Sequence, residues 1–334
     1  MYLDTTNKKC VRVRWDTPIL QSAVSRAGRS LAYFGMPGAG VHDLLDWSTL
    51  LGTKTCVQIV RSPKNQQEED LEVVRQINNN VMVNDIKDVQ IMRGAIEDIL
   101  IKGFDRDQFV PKASELVDGH RRFKYELYNL DFFGGVGYKR KASEGTKGVK
   151  TVRVKAIEDM FTRQRGHNFT LLLTINVRDK FGEEPLQYLQ ETLSRSANAM
   201  LAGTFAWCAN LDEGMKHHQL KVWIPLWLRE IAEMAQFDCR CYPTVTYEGH
   251  EHARMVHFAF DFSFIDGRDL RVNSHQALDS VVKLPLLQVL DGEFRFLTLP
   301  GSPCGECTET DSVVTAEALS KCLDLTMTET TLSA

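Results

Sequence analysis

Phe258, Phe260, Phe262 and Phe264 alternate with Ala259, Asp261 and Ser263. This strict period of two gathers the rings on one side only if the segment is an extended strand. A strand with so apolar a face needs a second layer packed on it. The preceding chain supplies one, because short apolar runs alternate with longer amphipathic ones up to about residue 265. That is the pattern of a parallel sheet with helices on both faces.

In order, the pattern predicts a helix over Pro18–Ala27, strands Leu31–Phe34 and Thr55–Val60, and a helix over Gln66–Asn78. Glu68, Glu69 and Asp70 sit in that helix's first turn, where the helix dipole favours acids. Strands Val89–Met92 and Tyr125–Leu130, a helix over Lys155–Arg165 and strand Thr170–Val177 follow. The last strand is apolar almost throughout, as a central parallel strand should be. A long helical region from Glu184 to about Gln236, carrying Trp207, Trp223 and Trp227, leads into strand Arg240–Tyr247. The turn Glu248–His252 joins this strand to Met255–Phe264 as a hairpin. The expected organisation is one domain over 1–265 with a helical insert at about 184–236. A C-terminal extension over 266–334 ends in the polar tail Thr326–Ala334.

With a net charge of −4, the chain has no global attraction to nucleic acid, so such affinity requires a local basic patch. No apolar run approaches the ~18 residues of a membrane span, and the expected location is cytoplasmic. Eight cysteines in such a chain are expected as free thiols. Cys304 and Cys307 have the spacing of half a zinc site, and Cys239 and Cys241 could supply the rest, but no metal is expected. His217, His218, His250 and His252 lack a neighbouring carboxylate pattern and read as surface histidines.

In a doubly wound sheet, ligands lie across the C-terminal strand ends, so four segments carry the chemistry. Gly35-Met36-Pro37-Gly38-Ala39-Gly40 follows the first strand, and such a turn lets backbone approach a ligand closely. Val60-Arg61-Ser62-Pro63 closes the second, and no carboxylate occurs between Ser48 and Gln67. Gly94-Ala95-Ile96-Glu97-Asp98 closes the third. After the fourth comes Asn129-Leu130-Asp131-Phe132-Phe133-Gly134-Gly135, which sets an acid beside aromatic rings. Lys139, Arg140, Lys141, Lys147 and Lys150 follow, with only Glu144 opposing. A basic stretch beside a ligand crevice suits a phosphate backbone.

Strand–helix units closed by an antiparallel hairpin resemble the class I S-adenosylmethionine-dependent methyltransferases, a Rossmann-like family. The resemblance covers about residues 18–265 and rests on element order more than on exact motifs. It implies S-adenosylmethionine as cofactor, with Gly35, Gly38 and Gly40 against its methionine portion. Val60 stands where the family places the acid for the ribose hydroxyls. Ala95, next to Gly94, stands where an acid holds adenine, with Glu97 and Asp98 close by as substitutes. The segment from Asn129 is similar to the Asp-Pro-Phe-Gly and Asp/Asn-Pro-Pro-Tyr motifs of enzymes that methylate base nitrogens, without the proline. It implies that Asn129 and Asp131 orient an acceptor while Phe132 or Phe133 stacks on a base. Two functions follow. One is methyl transfer to nucleic acid. The other is a degenerate member acting as scaffold or recognition subunit of a multiprotein complex, by analogy with the bacterial multi-gene systems, anti-phage defence among them, that often contain divergent members of this fold.

Overall fold

The computed structural model describes residues 4–58, 64–102, 124–132, 134, 152–177, 203, 204, 206, 211, 216–266, 278–297 and 312–324. The sheet has ten strands: β1 (Leu31–Gly35), β2 (Leu51–Gln58), β3 (Val89–Arg93), β4 (Leu127–Asp131), β5 (Phe169–Asn176), β6 (Phe237–Cys241), β7 (Thr244–Glu248), β8 (Arg254–Phe264), β9 (Leu286–Leu290) and β10 (Glu293–Phe296). Their spatial order is β10-β9-β7-β8-β5-β4-β1-β2-β3, with β6 pairing β8. The run β3-β2-β1-β4-β5 is parallel throughout, and β8 joins β5 antiparallel. This is the expected Rossmann-like, doubly wound, mostly parallel sheet ending in an antiparallel hairpin.

The hairpin differs in detail from its sequence reading. The segment read as one strand over Arg240–Tyr247 is two, β6 and β7, both paired to β8. Cys241 lies opposite Phe260 and Val245 opposite His257, so one strand carries an extra residue around Pro243. Proline cannot donate to a ladder, and the bulge accommodates it. Residues beyond 266 extend the same sheet: β9 runs parallel to β7, and β10 turns back antiparallel on β9.

Helices lie on both faces. They are α1 (Thr6–Cys10), α2 (Thr17–Ala27), α3 (His42–Asp46), α4 (Lys64–Val83), α5 (Ile96–Lys102), α6 (Val152–Gln164), α7 (Lys216–Met234), α8 (Leu278–Lys283) and α9 (Ala316–Asp324). A π-helical segment, Val11–Asp16, connects α1 to α2, so Thr6–Ala27 is one unbroken helical stretch. Its first half has no counterpart in the sequence reading, which begins the helix at Pro18.

Adjacent strand residues feed opposite cores. Phe34, Tyr128, Leu171 and Leu173 join α5, α6 and α7 in one cluster. Tyr33, Leu127 and Leu172 join Trp15, Ile19 and Leu20 of the N-terminal helix in the other. The β8 phenylalanines face the first cluster, where Phe161 of α6 meets Phe262 edge-on at 4.7 Å and Phe169 at 5.3 Å. The residues between them face the N-terminal helix. Asp261 accepts from Tyr242 at 2.6 Å and Thr170 at 2.6 Å, and pairs with Arg26 of α2 at 2.7 Å. Among the described residues no helix is long and apolar enough to cross a membrane.

Truncating Phe161 to Ala removes the hub of this aromatic cluster. Urea denaturation is expected to show a loss of about 3–5 kcal/mol. A loss under about 1 kcal/mol would mean that the cluster is not load-sharing core.

Candidate active-site crevice

The strand order reverses between β1 and β4, which places the ligand crevice of this fold outside the C-terminal ends of those two strands. Gly35 ends β1 directly beside Asn129, and Asp131 ends β4 beside Thr174 of β5. Thr174 in turn faces His257 of β8. One rim therefore carries Gly35, Asn129, Asp131, Thr174 and His257.

The N-terminal helix crosses this rim with Lys8, Arg12 and Asp16, spaced four apart. Lys8 Nζ donates to Asp131 Oδ2 at 2.5 Å. Arg12 grips Asp4 through both terminal nitrogens, at 2.9 and 2.7 Å, and its Nε donates to Asp46 at 2.5 Å. Its Nη1 also stands 3.6 Å from Asp43. Asp16 Oδ1 meets His257 Nε2 at 2.8 Å, and His257 Nδ1 meets the Thr174 hydroxyl at 2.8 Å. Arg12, Asp16, Asp43, Thr174 and His257 are all buried. Such charges are tolerated inside because each has a partner.

Asp43 lies on α3, just after the glycine turn, and accepts from Asn129 Nδ2 at 2.7 Å. Burial raises its carboxyl to about 6, against the opposing charges of Lys8 and Arg12. Asp131 overcomes burial to hold the Lys8 ammonium above its ordinary value, with Tyr247 and Asp43 adding to the effect. Burial, reinforced by Asp43, pushes the Tyr33 hydroxyl well up. That hydroxyl approaches Asn129 without reaching hydrogen-bonding geometry. A Cβ on Gly35 would lie 2.3 Å from it and 2.8 Å from the Asn129 carbonyl oxygen, so only glycine fits there. Gly38 has φ +66°, and a Cβ on Gly40 would collide with the His42 ring. Asn80 of α4 steadies the turn, donating to the Ala39 carbonyl at 2.8 Å.

The structure thus brings Gly35, Asn129 and Asp131 together with Asp43. Gly38 and Gly40 lie in the turn that joins β1 to α3, and the remaining residues singled out from sequence lie elsewhere. Gly94, at φ +146°, donates its N–H to the Gln58 carbonyl at 3.0 Å, and Ala95 beside it is half-buried. Glu97 is buried and accepts from Arg153 Nε of α6 at 3.0 Å. The Arg153 guanidinium also covers the ring of Phe132 at 4.7 Å, and Phe132 is buried in the first core. Val60, Phe133, Lys139, Arg140, Lys141, Lys147 and Lys150 lie outside the described residues, as do Cys304 and Cys307.

Cys239 and Cys241 are buried with their sulfurs 3.8 Å apart, and no third ligand type joins them among the described residues. His217 and His218, expected at the surface, are buried instead. Their rings are 4.4 Å apart, and burial drives them down to about 3 and about 4, so both are neutral. His252, by contrast, is exposed and pairs with Glu248.

Sequence reasoning missed Lys8, Arg12, Asp16, Asp43, Thr174 and His257. The signal was present in part: Lys8, Arg12 and Asp16 recur every four residues beside apolar Val11, Trp15 and Ile19.

No family model matches the sequence, and no curated protein does. Solved structures similar to the chain include a transferase candidate from Pyrococcus horikoshii, with 8% identity and a TM-score of 0.33. That match covers 80% of this chain and 66% of the other, just under two thirds of its length. The YcgJ protein of Bacillus subtilis is 11% identical over 75% of this chain and 98% of its own, with a TM-score of 0.35. A methyltransferase candidate from Bacillus halodurans is 8% identical over 73% and 96%, with a TM-score of 0.30. The fold is methyltransferase-like. That assignment rests on the strand order.

Asp43→Asn keeps the shape and the acceptor for Asn129 while removing the titration. Because the folded Asp43 sits near 6 against an ordinary 3.8, its contribution is present below about pH 4 and lost as pH rises through 6. Relative to wild type, the variant should therefore gain on the order of 2–3 kcal/mol between pH 3.5 and pH 7 in denaturation curves. Parallel stability profiles for the two proteins would show that Asp43 does not titrate there.

Proposed function

We propose that this chain is a methyltransferase-fold recognition or scaffold subunit, and that nucleic acid is what it recognises. One observation carries the first part. The carboxylates best placed to serve a cofactor or acceptor are engaged by the chain's own cations: Asp131 by Lys8, and Glu97 by Arg153. Phe132, which would stack on a base, is buried beneath Arg153. Val60 and Ala95 offer adenosine no acceptor, and an unmade hydrogen bond to a buried group costs about 1–3 kcal/mol. On the adenosine side these residues do not fit S-adenosylmethionine. The fold itself serves either role, so the site decides.

A second reading, an active methyltransferase on nucleic acid, is favoured by the glycine turn. Gly35 leaves room where any Cβ would collide, and Gly38 holds a left-handed turn, as a cradle for a close-lying ligand would require. Calorimetric titration with S-adenosylmethionine and S-adenosylhomocysteine separates the two. The recognition reading expects no binding at millimolar ligand. A dissociation constant in the micromolar range would overturn it in favour of the enzyme.

The nucleic-acid part rests on Lys139, Arg140, Lys141, Lys147 and Lys150 in a chain that is otherwise net acidic. Neutralising Lys139, Arg140 and Lys141 together should weaken single-stranded nucleic-acid binding about tenfold or more near 0.1 M salt. The slope of log K against log salt should fall by roughly two units. Fluorescence anisotropy measures both, and unchanged binding would remove nucleic acid as the partner.

A further inference from the structure

We infer that Lys8 occupies a site for an external alkylammonium group. The ligand class is a primary amine on a flexible aliphatic stem, such as a lysine side chain of a partner protein. The inference rests on the recognition reading only in taking the crevice to be a ligand site.

The grips of the N-terminal helix are unequal. Arg12 is nearly sealed, with its side chain 4% exposed, and is held by Asp4, Asp46 and Asp43. Asp16 and His257 are sealed to the same degree. Lys8 and Asp131 meet at the open rim, with side chains 36% and 23% exposed. Lys8 lies in the first turn of the unbroken Thr6–Ala27 stretch, capped by Thr5 accepting the Lys8 N–H at 3.2 Å. Being part-exposed, the pair is open to competition from solvent, so an external ammonium can displace Lys8 while Arg12 and Asp16 hold the helix. The surroundings select a cation whatever its source, since the Asp131 and Asp43 carboxylates both favour the charged amine.

The chain's own groups also leave the crevice incompletely satisfied. The wholly buried Tyr33 hydroxyl points at Asn129 and Gly35 with no completed hydrogen bond. A buried hydroxyl is ordinarily paired, and an entering ligand can supply the partner. A nucleobase is a poorer occupant, because the ring that would stack on it, Phe132, lies in the core.

The test removes the internal occupant. Lys8→Ala should bind n-butylammonium saturably, read as a thermal shift beyond that from equal sodium chloride or n-butanol. Adding Asp131→Asn should abolish the shift, and wild type should respond at least tenfold more weakly. A Lys8→Ala shift no greater than in the controls, or one that survives Asp131→Asn, overturns the inference. If Lys8→Ala does not fold, wild type is titrated with n-butylammonium to tenfold higher concentration, and a shift there no greater than in the controls counts against the site. Neither arm uses S-adenosylmethionine, so this inference and the recognition reading fail separately.

Discussion

Arg12 is a guanidinium taken almost wholly out of water, and the crevice is organised around satisfying it. Burying such a charge costs several kcal/mol unless its donors are all met. Asp4 and Asp46 meet them from the helix entry and from α3, and Asp43 stands on its far side. Asp43 is tied through Asn129 to β4, so the same network fixes the glycine turn, α3 and the end of the fourth strand. Even the Arg12 carbonyl is used: it accepts from the Thr17 hydroxyl at 3.0 Å and from the Trp47 indole at 3.3 Å. Removing Arg12 itself would leave these carboxylates facing one another with Lys8 as the remaining cation of the network. For that reason the helix stays over the rim.

The π-helical segment makes this compatible with an apolar underside. In an α-helix, residues four apart drift around the axis, because a turn takes only 3.6 residues. A π segment bonds five residues back and takes in more residues per turn. Here the Thr17 N–H bonds to the Arg12 carbonyl. Lys8, Arg12 and Asp16 can then meet Asp131, the α3 carboxylates and His257 in succession. Val11, Trp15 and Ile19 meanwhile reach the core beneath.

Much of the fold was legible because strands buried on both faces announce themselves as apolar runs, and β8 by its alternating phenylalanines. Segments whose polarity is internal were not legible. Within Asn7 to Asp16, nothing local distinguishes a buried Arg12 from an exposed one. Its carboxylate partners at positions 43 and 46 lie more than thirty residues away in sequence. Glu97 illustrates the same limit: it stands two residues after Ala95, but the Arg153 that takes its charge belongs to another helix. His217 and His218 lack any carboxylate signature, and their burial comes from the packing of α7 on the sheet. At the crevice, only Gly35, Asn129 and Asp131 could be placed from local pattern, because strand ends and tight turns are local features.

Pockets built for a charged ligand normally leave polar groups unsatisfied until the ligand arrives. Here Asp4, Asp43, Asp46 and Asp131 share Lys8 and Arg12 within the chain, so the crevice holds together without a ligand. That arrangement divides the crevice into two parts. The deep part, around Arg12, is structural and closed to exchange. The rim, at Lys8 and Asp131, is held by one part-exposed ion pair, which is where the proposed ammonium ligand would enter.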